Sequence, residues 1–293
     1  MTMALPAADH AEHLGQKAVP AEIASIMVHV DFDRGSDDRI RIASDLADRL
    51  GAVLIGLTGW VPGREFRVGA DAETERTEVG LVRISAAQDR LAERFRSVAG
   101  ATIYPIEWRA AYNFPSEVIA REARTADLVV IGAHPVPDDP YHTFDPGTVL
   151  LTVGRPVLVA PEGLTRLAAA RVLIAWKDTR EARRAVQSAL PFLRVAEQVT
   201  MLEIADEALK EAALAHLDDL EVYLGRHRIK VSGKAVLRAV GSVSEQLKRT
   251  ARNDGADLIV AGAYGHTRLG EWIFGGVTRD LLRTTEVCCL FSS

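Results

Sequence analysis

The chain has 293 residues, a net charge of −5, 48% apolar and 26% charged residues. This is ordinary globular usage, enough for about two domains, and it excludes a disordered or fibrous chain. With no basic excess, nothing in the charge points to nucleic acid. The two cysteines, Cys288 and Cys289, are adjacent. A bridge between neighbours is strained, so a disulfide framework and a cysteine zinc site are both excluded. That usage fits a reducing cytoplasm. No apolar run reaches the roughly 18–20 residues of a membrane span.

Residues 1–22 have neither the basic start nor the apolar stretch of a signal peptide, and we read them as a disordered leader. His10 and His13 lie three apart within it, with no further ligand nearby. Apolar periodicity then predicts strand 25–30, helix 36–50, strand 52–58, helix 76–98, strand 103–109, helix 115–125, strand 127–132, helix 147–153 and strand 156–160. Turn residues at 161–165 mark a linker. The second half predicts strand 171–176, helix 180–194, strand 198–204, helix 206–226, strand 230–238, helix 242–253, strand 257–262, helix 276–284 and strand 287–291. Strict alternation with apolar strands means a parallel sheet with helices on both faces.

The halves are copies. Asp127-Leu-Val-Val-Ile-Gly-Ala133 recurs as Asp257-Leu-Ile-Val-Ala-Gly-Ala263. The opening strands, from Ser25 and from Arg171, are offset by 146 residues and the later ones by 130. The first copy therefore carries an insertion, which falls in the polar stretch 62–77 and reads as a surface loop. Boundaries follow at 23–163 for repeat 1 and 168–293 for repeat 2.

Ligands of open α/β sheets bind beyond the carboxyl ends of the strands. In repeat 2 the fourth strand runs into Gly262-x2-Gly265-x9-Gly275, and a helix opens at Gly276. Glycines let backbone N–H groups approach an anion, and a helix N-terminus adds free donors. The pattern can cradle phosphates, or the glycines simply permit turns. It is not a G-x4-G-K-[ST] loop, because Glu271 follows Gly270.

This spacing, the following Gly-Val-Thr-Arg-Asp-Leu-Leu and the repeat unit resemble the universal stress protein family, as two tandem copies from Ile23 to the C-terminus. Gly154-Arg-Pro-Val-Leu-Val-Ala-Pro161 and Ile174-Ala-Trp-Lys-Asp-Thr-Arg180 support it. The resemblance implies two tandem Rossmann-like, adenine-nucleotide-α-hydrolase-like α/β domains, each a five-stranded parallel sheet. It also implies last strands paired across a dimer, here an intrachain pseudo-dimer that could associate further. Some members bind ATP, with Mg²⁺ only where nucleotide is bound, and others bind none.

Carried over by residue, Gly262, Gly265 and Gly275 match the phosphate loop, with Gly276 in place of the family's Ser or Thr and Val277 following. Ala175, Lys177 and Asp178 form the opposite wall, with Lys177 where the family has Asp. Trp176 reads as packing at the strand end or as a flank for a base. In repeat 1 the family's Asp is present as Asp31, but the loop is broken. Pro135 replaces its second glycine, eleven residues precede Gly147, and Asp138, Asp139 and Asp145 would repel a phosphate. Repeat 1 is therefore degenerate, and Asp31 is expected to cap the helix near Ser36.

His29 reads as a satisfied sheet histidine, and His266, His134 and His142 as loop residues. Residues 207–226 read as a solvated helix. No Ser-His-Asp or Cys-His arrangement and no metal site can be assembled. Three functions compete: a non-enzymatic cytoplasmic stress-response protein with ATP or another adenine nucleotide in repeat 2, a nucleotide-independent module for an unknown protein partner, and a slow ATPase.

Overall fold

A computed structural model describes residues 22–61, 73–133, 143–238, 241–264 and 276–293. The leader up to residue 21, the 62–72 part of the insertion and the loops 134–142 and 265–275 lie outside these residues.

Repeat 1 runs β1 (Ser25–His29), α1 (Ser36–Leu50), β2 (Val53–Gly59), α2 (Glu73–Ala99), β3 (Ile106–Ala111), α3 (Pro115–Glu122), β4 (Leu128–Gly132), α4 (Pro146–Thr152) and β5 (Val157–Ala160). Repeat 2 follows with β6 (Arg171–Trp176), α5 (Arg180–Leu193), β7 (Gln198–Ala205), α6 (Lys210–Arg226), β8 (Gly233–Arg238), α7 (Val243–Asp254), β9 (Leu258–Gly262), α8 (Gly276–Thr284) and β10 (Cys288–Ser292).

All ten strands form one sheet, ordered β3-β2-β1-β4-β5-β10-β9-β6-β7-β8. The pairs within each half are parallel. At the centre β5 meets β10 antiparallel, with Cys289 opposite Val159 and Phe291 opposite Val157. The last strands therefore pair across the repeats within one chain, as the family resemblance implies.

Strand side chains alternate between two apolar layers. One layer includes Ile26, Val28, Ile40, Leu91 and Leu217, under α1, α2, α5 and α6. The other layer includes Met27, Val118, Val149, Leu247 and Leu281, under α3, α4, α7 and α8. Strands buried on both faces explain the near-continuous apolar runs in the sequence. The repeated Asp has a task as well. Asp127 accepts from the N–H groups of Ala24 and Ser25, both at 3.0 Å, and Asp257 from those of Ala170 and Arg171, both at 2.9 Å. Each pins the start of its repeat's fourth strand to the start of the first.

Several boundaries move, among them α6, which opens at Lys210 rather than 206, and α3, which ends at Glu122 rather than 125. Residues 73–77 of the expected loop are helical, because α2 already starts at Glu73. β3 begins at Ile106 rather than 103, since Asp48 takes the Ile103 N–H (2.9 Å) and the Thr102 hydroxyl turns back to the Tyr104 carbonyl (2.8 Å). β8 begins at Gly233 rather than 230, after Arg228 (φ 63°) has turned the chain out of α6. Both thiols are buried in β10, and burial pushes the Cys289 pKa up to about 12 and that of Cys288 up as well.

Candidate functional site

At the carboxyl edge of repeat 2, β6 delivers Ala175, Trp176 and Lys177, β7 delivers Leu202 and Ile204, and β9 ends at Gly262. With Val243, Leu247, Gly276 and Val277 they line one cavity of about 280 Å³. The structure thus brings together Ala175, Lys177, Gly262, Gly276 and Val277. Gly265, Gly275 and His266 lie outside the described residues. Asp178 turns away. It pairs with Arg183 and lines a separate cavity of about 560 Å³ between α5 and α6, with His216 and Tyr223.

The two glycines at this edge differ in kind. A Cβ on Gly262 would sit 2.5 Å from the Ala182 nitrogen and 2.8 Å from the Glu181 carbonyl carbon. Glycine is required there by the close approach of α5, a role distinct from the phosphate cradle read from the motif. A Cβ on Gly276 would meet nothing within 4 Å, so a hydroxyl side chain would fit.

Burial raises the Glu203 pKa, and a His216 contact at 3.3 Å together with Lys177 acts in the opposite direction. Trp176 packs against the α5–α6 layer and borders both cavities, its indole Nε1 enclosed without a partner among the described residues. Tyr264 holds a left-handed backbone (φ 57°), and its N–H donates to the Thr278 hydroxyl at 3.4 Å. Its phenol oxygen lies 2.8 Å from where a Cβ on Gly147 would stand, so repeat 2 touches the start of α4 in repeat 1. Burial and the nearby Asp145 carboxylate push this phenol up to about 12, so it stays protonated.

At the corresponding edge of repeat 1, described charged side chains pair with one another. Arg39 is buried, 1% exposed, and donates to Asp31 Oδ1 at 2.5 Å, Asp33 Oδ2 at 2.8 Å and the His29 carbonyl at 2.6 Å. A buried guanidinium must have its charge met. Asp31 meets it and does not cap α1, whose N-cap Gly35 has no side-chain bond. Burial raises the Asp31 pKa against the pull of Arg39. The His29 ring lies 3.5 Å from Asp31 and edge-on to buried Phe144, centroids 4.7 Å apart, which agrees with a packed sheet histidine.

Asp145 caps α4. It accepts from Gly147 N at 3.3 Å, Thr148 N at 3.0 Å and Thr148 Oγ1 at 2.5 Å. α4 starts at Pro146 and α8 at Gly276, the same 130-residue offset as their strands, so Asp145 stands where repeat 2 has Gly275. A carboxylate of the chain occupies the helix donors that a phosphate would use. Asp138, Asp139, His134 and His142 lie outside the described residues.

Among the described residues, no cluster of three His, Cys, Asp or Glu could hold a metal ion, and no helix is long and apolar enough to cross a membrane.

The universal stress protein family model matches residues 22–138 and again 155–291. A universal stress protein of Synechocystis is 22% identical over 140 residues, which span 47% of this chain and 47% of that protein, about half of each. Among solved structures, a universal stress protein from Archaeoglobus fulgidus superposes with a TM-score of 0.67 at 14% identity, covering 92% of this chain and 98% of that one. A Pseudomonas aeruginosa protein of unknown function superposes with a TM-score of 0.58 at 20% identity, covering 92% of each chain. At these identities the structural likeness bears on the fold.

Proposed function

The chain belongs to the universal stress protein family, and we propose that it is a single-site adenine-nucleotide-binding module. In this reading repeat 2 takes the nucleotide, ATP included, and repeat 1 takes none. One observation carries it: the edge cavity exists where Gly276 opens α8, whereas at the start of α4 in repeat 1 the Asp145 carboxylate takes the helix N–H donors. The apolar walls from Ala175, Leu202, Val243 and Leu247 suit a purine face. Lys177 and the first backbone N–H groups of α8 would hold phosphate. No carboxylate lines this cavity among the described residues, so Mg²⁺ would enter only with the phosphates.

In this reading the role is non-enzymatic. Binding would bias a surface read by a protein partner in a cytoplasmic stress response. Titration calorimetry tests the reading: ATP should bind the wild type in the micromolar range, and Gly276→Asp should weaken it at least tenfold. No binding at high micromolar protein overturns it.

A nucleotide-independent interaction module is the second reading, favoured by Lys177 in place of the family's Asp and by the missing hydroxyl at position 276. Adenine nucleotide co-purifying with the protein would count against that.

A further inference from the structure

The cavity of about 560 Å³ between α5 and α6 shares only Trp176 with the edge cavity. A volume of this order suits a small molecule. Its apolar lining comes from Val186 and Leu220, which are buried, and from Trp176 and Tyr223, which are half-buried.

In repeat 1 polar bonds tie the equivalent helices together. Arg94 of α2 pairs with Asp37 of α1 at 2.6 Å, and the Ser44 hydroxyl of α1 donates to the Ala99 carbonyl of α2 at 3.1 Å. By the 146-residue offset, Arg183 stands where repeat 1 has Asp37, and it turns to Asp178 at 2.5 Å. Among the described residues, no hydrogen bond or ion pair joins α5 to α6.

The charged groups around the cavity then sort in two. Arg183 is met by Asp178, and His216 by buried Glu203 at 3.3 Å. Arg184 of α5 spends one N–H on the Ser293 main-chain oxygen at 2.8 Å, and the rest of its fork has no partner among the described residues. Asp219 of α6 has no partner among them. One wall therefore offers open guanidinium donors and the other an open carboxylate, with apolar surface between. A guanidinium fork matches a carboxylate with two parallel hydrogen bonds, and a carboxylate accepts from an ammonium.

We propose that this groove binds a free α-amino acid with a large apolar side chain. Arg184 holds its carboxylate and Asp219 its ammonium. Trp176, Val186, Leu220 and Tyr223 cover its side chain. The site does not depend on the nucleotide reading and stands if that reading fails. Each charge contact is near solvent and weak alone, so recognition needs both charges and the apolar body together.

NMR titration of the full chain with L-phenylalanine, 3-phenylpropionate, phenethylamine and glycine tests it. Phenylalanine should bind with sub-millimolar affinity. The other three each lack one contact and should bind at least about tenfold more weakly. R184Q should weaken phenylalanine about tenfold and leave phenethylamine unchanged, and D219N should weaken it about tenfold and leave 3-phenylpropionate unchanged. Both side chains are exposed, and an unchanged thermal midpoint checks the fold. Absence of phenylalanine binding overturns the proposal, as does binding that both variants keep. A dimer in sedimentation that R184Q dissolves would place a second copy in the groove and overturn it too.

Discussion

Under the carboxyl end of β1 sits Arg39; 146 residues on, under β6, sits Ala185. Both are buried, and their helices keep the same inward phase, with Ile40, Ala43 and Ala47 answered by Val186, Ala189 and Leu193. One copy thus spends an inward position on a long cation and the other on a methyl group. The cation brings Asp31 and Asp33 with it, and Asp145 and Phe144 close the opposite side. A void there would be costly in a packed interior, and at the β1 edge of repeat 1 the charges of Arg39, Asp31 and Asp33 meet one another. Repeat 2 kept small residues and an open helix start.

The sharpest way to break this contrast is to remove the cation. Arg39→Met strands two carboxylates at the β1 edge, and we expect a loss of about 3–5 kcal/mol in urea unfolding. A loss below about 1 kcal/mol would mean that the cluster does not hold the β1 edge. In repeat 2, Gly262→Ala should cost about 1–3 kcal/mol through overpacking against α5, while Gly276→Ala stays within about 0.5 kcal/mol. Equal costs would erase the distinction between a packing glycine and a site glycine.

Asp145→Ala should cost about 1 kcal/mol as a lost N-cap. It should create no second nucleotide site, since the Arg39 cluster remains; a stoichiometry of two by calorimetry would refute this. Gly276→Ser should tighten ATP by roughly two- to tenfold, the worth of one added hydrogen bond, with the thermal midpoint nearly unchanged. Looser binding would show that the open space at 276 does not face the ligand. The smallest effect is expected at the seam between the repeats. With both pKa values raised by burial, Cys288 and Cys289 should not react with a disulfide reagent at pH 8 until the protein unfolds. Fast labelling of native protein would show that the seam opens.

The fold was legible because its signals are local. Buried strands, amphipathic helices and an internal repeat all follow from spacing along the chain. Repeat 1 reads in the sequence as a broken motif, and the Arg39 cluster is not visible in that motif. Arg39 lies four and seven residues before Ala43 and Leu46, on the buried face of α1. That phase was a usable signal, hidden by the neighbouring Arg34 and Arg41. Asp145-Pro-Gly-Thr148 has the composition of a helix N-cap with Pro at its first position. Reading its charge as repulsion alone missed that the carboxylate occupies the donors itself. The cause of Gly262 could not be read, because Ala182 approaches it from eighty residues away through the tertiary fold.

The antiparallel β5–β10 pair has a consequence for how this molecule meets dilution. Between separate chains such a pair dissociates as concentration falls, and its two sides must remain self-complementary. Here a short connection from Ala160 to Arg171 holds the two sides at an effective concentration in the millimolar range, independent of how many copies the cell makes. The pairing survives at any abundance, and each repeat can mutate without its change appearing twice in the assembly.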